Sequence, residues 1–576
     1  MKKKFLAVSC LAFACMFAFG SCGGGTTSES VGGNSGNDTS SSNGGSSSNK
    51  NVIAASLDLG ADFNADYYPS ADIECKQGKI DVAIVFDGTE AGWQALADEY
   101  SRLHKGAVVV ALDKKYTAET YPDRLNQELQ TENSDWDIVQ GNLAATGSTA
   151  DYCVNMNSDI FISNPYAGGV VWSEVLSEDA YISDKSGDNA TNTYLLNSEG
   201  LQTAWFVNAV AMDAAKANGY NKEGAPETWD ELMSLCAAME AAGYENPLGI
   251  SVDTSSVSAS QFTWLLRVYG DFYYRNEYNN IAASEGYEVD LESEQPEAAK
   301  DFKYSETRLF NAILDEAGAN YVGGTSAKFQ DFLGQFAKMK DYLRLDAATT
   351  SMEQMRAEFK TQSKGNKSPQ ILLDYAGVGL DFVDEQNDKF QMDFFDYPIM
   401  VSDYIPTNAI IRDVGGNGGY LSLKKHANDP AQTGLNLDFL KFVLSPYGQS
   451  IYYKALSDNN IAPKGMTTVN NDLVVMPESW KDFFQTDKIS FTGLVDSNPF
   501  ISFFIRSLNG EQNSKTKANE LWKKFLTGTG ADAITAERFG NEWQDTLMLD
   551  WPELCKKNGY NVNCYKFPGQ DVTFGG

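Results

Sequence analysis

The feature that most constrains this chain is an alternation of strand and helix patterns near the start of its folded part. Apolar residues occupy every second position from Ile80 to Phe86, as in a β-strand, and recur at helical spacing from Trp93 to Leu103. A second strand pattern follows at Val108–Leu112, and a third follows at Trp136–Val139 after another helical stretch. Strands that alternate with helices build parallel sheets with right-handed crossovers. The sequence therefore predicts an α/β fold.

A short acidic turn, DGTEAG, joins the first strand to the first helix between Asp87 and Gly92. Turns of this kind lie at the carboxyl edge of a sheet, where α/β proteins bind ligands. Its two glycines do not make the three-glycine dinucleotide fingerprint, and Asp87 and Glu90 would repel a phosphate. Two acids on one turn also cannot flank a glycosidic bond from opposite sides. We expect these carboxylates either to accept hydrogen bonds from a ligand or only to cap the helix.

Composition narrows the functions open to the chain. The 78 acidic residues outnumber the 45 basic residues and give a net charge of −33, which argues against nucleic acid as a partner. Only two histidines are present, His104 and His426, each beside a lysine and expected at the surface. No C-x-x-C spacing occurs among the eight cysteines. We therefore predict no metal site and no cofactor, and little scope for a Ser-His-Asp triad.

The first 22 residues have the pattern of a targeting segment. Lys2–Lys4 form a basic start, Phe5–Phe19 is an apolar run too short to span a bilayer, and Cys22 follows small residues as in a bacterial lipobox. We predict lipidation at Cys22 and an extracytoplasmic protein anchored to the cell membrane. Ordinary cleavage with release of the protein is the alternative. The Gly/Ser-rich stretch 23–51 is predicted to be a disordered linker.

Later segments carry clear local signals. The stretch GAPETWDEL predicts a helix start, because Thr228 and Glu231 have the spacing of a capping box. The aromatic pattern over Gln261–Arg275 predicts a helix that ends near Gly270. Residues 276–320 are polar and acidic and are predicted to be an insertion.

The order of several segments resembles a known family. The segments are SDWDIVQGN (Ser134–Asn142), WFVNAVAMDAAKANGYNKEGAPETWDEL (Trp205–Leu232), DYPIM (Asp396–Met400), GGNGGYLSLKKHANDP (Gly415–Pro430) and DFLKFVLSPYGQSIY (Asp438–Tyr452). Together with the first strand, acidic turn and helix, they resemble the family 1 extracellular solute-binding proteins of bacterial ABC importers. The likeness is to the oligosaccharide-binding group that includes maltose-binding protein.

The resemblance implies a two-lobed, periplasmic-binding-protein-like fold of type II. Each lobe would be a mainly parallel sheet flanked by helices, and the chain would cross the hinge more than once. The implied first lobe comprises residues 79–165 and 398–450, and the implied second lobe comprises residues 166–397 and 451–576.

The resemblance also implies a function without catalysis. A carbohydrate, expected to be an oligosaccharide, would be captured between the lobes and delivered to the permease subunits of an ABC transporter. The protein would be a monomer. A surface glycoside hydrolase, or a glycan-adhesion module that never closes, is the alternative.

The candidate ligand-binding residues are polar groups of the first lobe, aromatic residues and one residue of a glycine-rich stretch. They are Asp87, Glu90, Trp93, Gln140, Asn142, Trp205, Trp264, Tyr375 and Asn417. Sugar hydroxyls need polar partners, and the apolar faces of sugar rings lie on aromatic planes. Packing in the core is the alternative for the tryptophans, and a simple tight turn is the alternative for the glycine-rich stretch.

Overall fold

The computed structural model describes most of the chain beyond the linker. The described residues are 56–70, 73–84, 88–114, 136–140, 152–177, 180–184, 192–254, 260–292, 304–361, 368–382, 391–412, 416–417, 420–426, 428–484, 512–563 and 565.

Thirteen strands lie within these ranges. They are β1 (Gly78–Ala83), β2 (Val108–Asp113), β3 (Ile138–Gln140), β4 (Tyr181–Asp184), β5 (Asn192–Asn197), β6 (Glu199–Leu201), β7 (Thr203–Asn208), β8 (Leu248–Gly249), β9 (Ile371–Tyr375), β10 (Met392–Phe395), β11 (Gly416–Asn417), β12 (Tyr420–Leu423) and β13 (Met466–Thr467).

The α-helices of the described residues are numbered in the same way. They are α1 (Glu90–Leu103), α2 (Ala209–Ala217), α3 (Trp229–Ala241), α4 (Gln261–Tyr274), α5 (Tyr278–Ile281), α6 (Glu306–Leu314), α7 (Ala327–Ala337), α8 (Met352–Phe359), α9 (Ala376–Phe382), α10 (Pro430–Val443), α11 (Pro446–Asp458), α12 (Glu478–Phe484), α13 (Gln512–Thr527) and α14 (Ala536–Asn558).

The first lobe is built on a six-stranded sheet with the order β2-β1-β3-β12-β5-β4. β1 pairs in parallel with β2 and β3, as the alternating pattern predicts, whereas β12 runs antiparallel to β3 and β5. Helix α1 buries Trp93, Leu96 and Tyr100 against this sheet and packs along α11. The apolar spacing read from the sequence is therefore the face that this helix buries.

The second lobe has a four-stranded sheet with the order β10-β7-β9-β8. Only the pair formed by β8 and β9 is parallel, because β7 runs antiparallel to both of its neighbours. Both sheets are thus mixed, which corrects the expectation of mainly parallel sheets. A strand that enters a sheet from a distant part of the chain can pair parallel or antiparallel to its neighbour. Two adjacent strands linked by a helical crossover pair in parallel.

A third, three-stranded sheet lies where the chain passes between the lobes. Its order is β11-β6-β13, with β6 in the centre and both neighbours antiparallel to it. β6 joins β5 of the first lobe to β7 of the second, and β11 precedes the return to β12 of the first lobe. We call these three strands the hinge sheet.

The lobe boundaries differ from those implied by the resemblance. The described residues between 166 and 198 belong to the first lobe, because β4 and β5 complete its sheet. Residues 451–461 and 469–476 also belong there, since α11 packs on α1 and Val469 joins the same core. Residues 398–412 lie in the second lobe, where Ile399 pairs with Thr228.

Two local predictions also need correction. Helix α4 does not end near Gly270 but continues to Tyr274, and all of its residues are buried. The segment 276–320 is not simply an inserted loop, because α6 within it buries Phe310 and Ile313 in the core of the second lobe. Tertiary burial decides both cases over the local polarity and the glycine signal.

None of the helices in the part of the chain that the structure describes has the length and apolar character to cross a membrane.

Candidate ligand-binding site

The first lobe presents its strand-to-helix turn at the carboxyl edge of the sheet. Gly88 has φ +97°, a left-handed conformation that glycine adopts readily. The amide of Gly88 donates a hydrogen bond of 3.1 Å to Oε1 of Glu90, which is half-buried in the first turn of α1. The carboxylate of Glu90 thus folds back over its own turn. This contact supports the capping interpretation of Glu90.

Gln140 lies on the same edge of the same sheet. It is the last residue of β3, and its neighbour Val139 pairs with Ala83 at the end of β1. The side chain of Gln140 is buried, and its backbone is paired with Leu421. An amide group and the acidic turn therefore lie at the ends of neighbouring parallel strands, as the sequence predicts.

In the second lobe, an aromatic pair lies at the end of β9. The rings of Tyr375 and Trp264 have their centroids 4.7 Å apart, and both side chains are buried. The amide of Tyr375 donates to Asp374, which accepts two hydrogen bonds of 2.8 Å from Arg356. This bidentate pair fixes the backbone at the point where β9 passes into α9.

One buried polar atom of this pair and one of Gln202 have no hydrogen-bond partner among the described residues. They are Nε1 of Trp264 and Oε1 of Gln202. Gln202 also accepts a hydrogen bond of 2.8 Å at its backbone carbonyl from the amide of Ala376, next to Tyr375. Buried polar atoms without partners cost free energy, so a hydrogen bond to either of these two atoms would stabilise the protein.

All three predicted tryptophans, Trp93, Trp205 and Trp264, lie in the cores of the lobes. Trp93 is buried in the first lobe, edge-to-face against Tyr452. Trp205 is fully buried in the second lobe, where its ring is parallel to that of Phe395 at a centroid distance of 6.1 Å. In this conformation neither ring offers a free face to a sugar.

The remaining predicted residues divide between the hinge sheet and undescribed parts of the chain. Asn417 lies in β11 and pairs with Gly200 of β6. Asp87, Asn142 and Cys22 lie outside the described residues, so their predicted roles stay predictions.

Sequence reasoning did not identify the residues that hold the hinge sheet. Glu199 of β6 accepts a hydrogen bond of 2.8 Å from the hydroxyl of Tyr452 in α11. Thr467 of β13 donates one of 2.8 Å to Gln449 in the same helix. These partners are far apart in the chain, and no local pattern links them.

The side chains at this site are hydrogen-bonding groups and a buried aromatic pair. Within the described ranges, no three His, Cys, Asp or Glu side chains come together in a way that could hold a metal ion. The carboxylate of Glu90 and the amide of Gln140 belong to one lobe, whereas Tyr375 and Trp264 belong to the other.

Comparisons with known proteins agree on architecture. No protein-family model and no curated protein matches the chain. A solved structure from work on xylan utilization by Caldanaerobius polysaccharolyticus is 12% identical with a TM-score of 0.50, and the match covers 82% of this chain and 100% of that one. The chain has the two-lobed solute-binding-protein fold.

Two further structures with this fold are similar over comparable lengths. A family 1 extracellular solute-binding protein from Bifidobacterium longum subsp. infantis is 15% identical with a TM-score of 0.49, covering 82% of this chain and 98% of that one. The GacH receptor of Streptomyces glaucescens is also 15% identical, with a TM-score of 0.47 and coverage of 82% and 99%. At these identities the likeness concerns the solute-binding-protein fold.

Proposed function

We propose that this chain is an extracellular solute-binding protein that captures a carbohydrate, specifically an oligosaccharide, between its lobes. It then delivers the ligand to the permease subunits of an ABC transporter. On this proposal the protein is a monomer that breaks no bond, and a lipid on Cys22 holds it to the cell membrane.

The hinge sheet is the observation that carries this proposal. β6 lies in the centre of the sheet and connects the two lobes, and β11 and β13 flank it on either side. Such a connection lets two rigid lobes rotate about short segments while their cores stay packed. A ligand that contacts both lobes stabilises the closed state by the free energy of the contacts made only there.

The side chains that the two lobes contribute are of the kinds that bind carbohydrates. The carboxylate of Glu90 and the amide of Gln140 can bond hydroxyl groups. The ring of Tyr375 is buried in this conformation, and on this proposal it lies against the apolar face of a sugar once a change of conformation uncovers it. The unpartnered atoms of Trp264 and Gln202 add one donor and one acceptor beside that ring. This set of groups binds a neutral, hydroxyl-rich molecule better than an anion, since it contains no phosphate-binding cation.

A thermal-shift screen tests the proposal. Xylotriose is the first probe, because the structure with a TM-score of 0.50 comes from work on xylan utilization; raffinose, mannotriose, a peptide and phosphate complete the panel. A sugar present at a hundredfold excess over Kd stabilises the folded state by about 2.7 kcal/mol. A shift with the peptide or phosphate and with no sugar would contradict the carbohydrate assignment.

Variants locate the site once a sugar has produced a shift. Glu90→Gln should weaken sugar binding about tenfold, because charge-assisted hydrogen bonds are the stronger ones. Glu74→Gln removes an exposed acid of the same lobe and should leave binding unchanged.

The length of the sugar recovered after incubation distinguishes a binding protein from a glycoside hydrolase. An intact oligosaccharide after prolonged incubation is expected, whereas shorter sugars would indicate a glycoside hydrolase. Small-angle scattering should show compaction on binding. Binding without compaction would indicate an adhesion module.

A further inference from the structure

Helix α11 contacts both α1, the helix that follows the acidic turn, and the hinge sheet. It packs along α1, and its Tyr452 occupies the space that a side chain at position 92 would need. A Cβ at Gly92 would lie 2.5 Å from ring carbons of Tyr452, which is closer than real Cβ contacts. The next residue, Trp93, meets the same ring edge-to-face at 6.3 Å.

Side chains of α11 also form hydrogen bonds with two strands of the hinge sheet. The hydroxyl of Tyr452 donates a hydrogen bond of 2.8 Å to Glu199 of β6. Gln449, one turn earlier, accepts one of 2.8 Å from Thr467 of β13. The hydroxyl of Tyr453 donates one of 2.9 Å to the carbonyl of Gly465, just before β13.

These hinge contacts are buried. Glu199 and Tyr452 are 8% and 3% exposed, and Thr467 and Gln449 are similarly covered. Because water cannot easily replace a buried hydrogen bond to a carboxylate, breaking it costs more than breaking one at the surface. Tyr452 thus joins the start of α1 to the central hinge strand by packing and by a charge-assisted hydrogen bond.

We propose that α11 sets the angle between the lobes by holding the hinge sheet to α1, and that Tyr452 is the positioning residue of this restraint. The link to ligand capture rests on the proposed function. The restraint itself is a property of the ligand-free protein and is measured without any ligand.

Hydrogen–deuterium exchange of the full chain tests the restraint. Tyr452→Phe keeps the ring against Gly92 and Trp93. It removes the hydroxyl group that donates a hydrogen bond to Glu199. We expect amide exchange in β6 and β13 to become about tenfold faster or more, while amides in the middle of α1 keep their rates.

The chain offers a matched control on the same helix. Tyr447 of α11 also donates a hydrogen bond to a buried glutamate, but that glutamate is Glu99 of α1. Tyr447→Phe should speed exchange within the first lobe and leave β6 and β13 unchanged. Equal hinge exchange in the two variants would overturn the proposal, because it would reduce Tyr452 to an ordinary stabilising residue.

A second variant keeps the proposal testable if Tyr452→Phe does not fold. Glu199→Gln retains an oxygen that can accept from Tyr452 but removes its charge, so hinge exchange should rise about threefold. An unchanged hinge rate in this folded variant would overturn the proposal. A negative sugar screen, by contrast, would remove the proposed function and leave the hinge result standing.

Discussion

The first lobe partly buries Asp438 among several hydrogen-bond donors, whereas the second lobe buries Glu306 beside one donor, the hydroxyl of Tyr560. Asp438 accepts hydrogen bonds from the hydroxyls of Tyr100 at 2.7 Å and Tyr166 at 2.5 Å, and His104 lies 3.6 Å away. Burial raises the pKa of Asp438, but the nearby His104 and the hydrogen bonds from Tyr166 and Tyr100 outweigh it and lower the pKa overall. The first lobe therefore keeps this carboxyl group charged.

In the second lobe, burial outweighs the hydrogen bonds at two carboxyl groups and raises their pKa values. Glu306 receives one hydrogen bond of 2.8 Å, from Tyr560, and burial raises its pKa to about 7. Burial likewise raises the pKa of Asp396 to about 6 against one hydrogen bond from the amide of Tyr397. Asp271 in the same lobe has a lowered pKa, since two arginines outweigh its burial. The number and charge of the donors thus decide the charge state of a buried carboxyl group.

The largest loss in the free energy of unfolding is expected at Asp271. Its carboxylate accepts from Arg412 at 2.8 Å and from Arg275 at 2.5 Å, and all three side chains are buried. Asp271→Asn leaves two guanidinium groups buried without their carboxylate, so we expect a loss of about 3–5 kcal/mol in the free energy of unfolding. Urea titration measures this loss.

The control for Asp271 is an exposed ion pair of the same lobe. Asp230 bonds Lys338 at 2.5 Å with two-thirds of its side chain exposed, so Asp230→Asn should cost less than about 1 kcal/mol. Similar losses in the two variants would show that burial does not raise the cost of losing the carboxylate.

The next largest effect is expected at Asp438. Asp438→Asn removes the charged acceptor of Tyr100 and Tyr166 and should cost about 1.5–3 kcal/mol at pH 7. Because the pKa of Asp438 is lowered by folding, this stabilisation is present above the ordinary pKa and is lost as the pH falls through the folded value. The difference between wild type and variant should therefore shrink in acid, as measured by unfolding at pH 7 and at pH values below about 4. A difference that stays constant would contradict the charge assignment.

Glu306 should respond to pH in the opposite direction. Its pKa is raised by folding, so its contribution is greatest below the ordinary value of 4.5 and is lost as the pH rises through about 7. Glu306→Gln keeps an acceptor for Tyr560 and should raise the free energy of unfolding by about 1–3 kcal/mol at pH 8, with little change at pH 4.5. Thermal unfolding across this range measures the effect. Glu245→Gln, at an exposed acid of the same lobe, should show no such slope.

The smallest expected effect is at the N-cap of α3. It serves as a pH-independent reference for the variants in both lobes. Thr228 accepts from the amide of Glu231, whose side chain accepts from the amide of Thr228 in return. Thr228→Ala should cost about 1 kcal/mol. The cost should be equal at pH 6 and pH 8, because the threonine hydroxyl does not titrate. A loss that varies with pH over this range would mean that the cap is coupled to a titrating group.

Features set by neighbouring residues could be predicted from the sequence. The capping box, the buried face of α1 and the pairing of β1 with β2 follow from local spacing. The placement of Glu90 and Gln140 on one sheet edge follows from the same alternation. In each case the deciding interactions lie within one element or between elements adjacent in the chain.

Features set by distant residues could not be predicted. His104 was expected at the surface because Lys105 follows it, yet its side chain is fully buried and Nε2 lies 2.9 Å from the hydroxyl of Tyr166. The contact of Tyr452 with Glu199 joins residues 253 positions apart. The burial of Trp205 likewise depends on Phe395 of a neighbouring strand. Such contacts have no signature in a single stretch of sequence.

The order of the strands has a consequence for how the chain acquires its structure. β12 lies between β3 and β5 in the first sheet, but residues 198–419 separate it from β5 in the sequence. The first lobe therefore cannot complete its sheet until the ribosome has made most of the second lobe. Contacts this distant in sequence slow folding, because a long loop must close before they form. A chain emerging from synthesis would stay incompletely folded for a long time, which is the state in which a polypeptide can be threaded through a membrane pore.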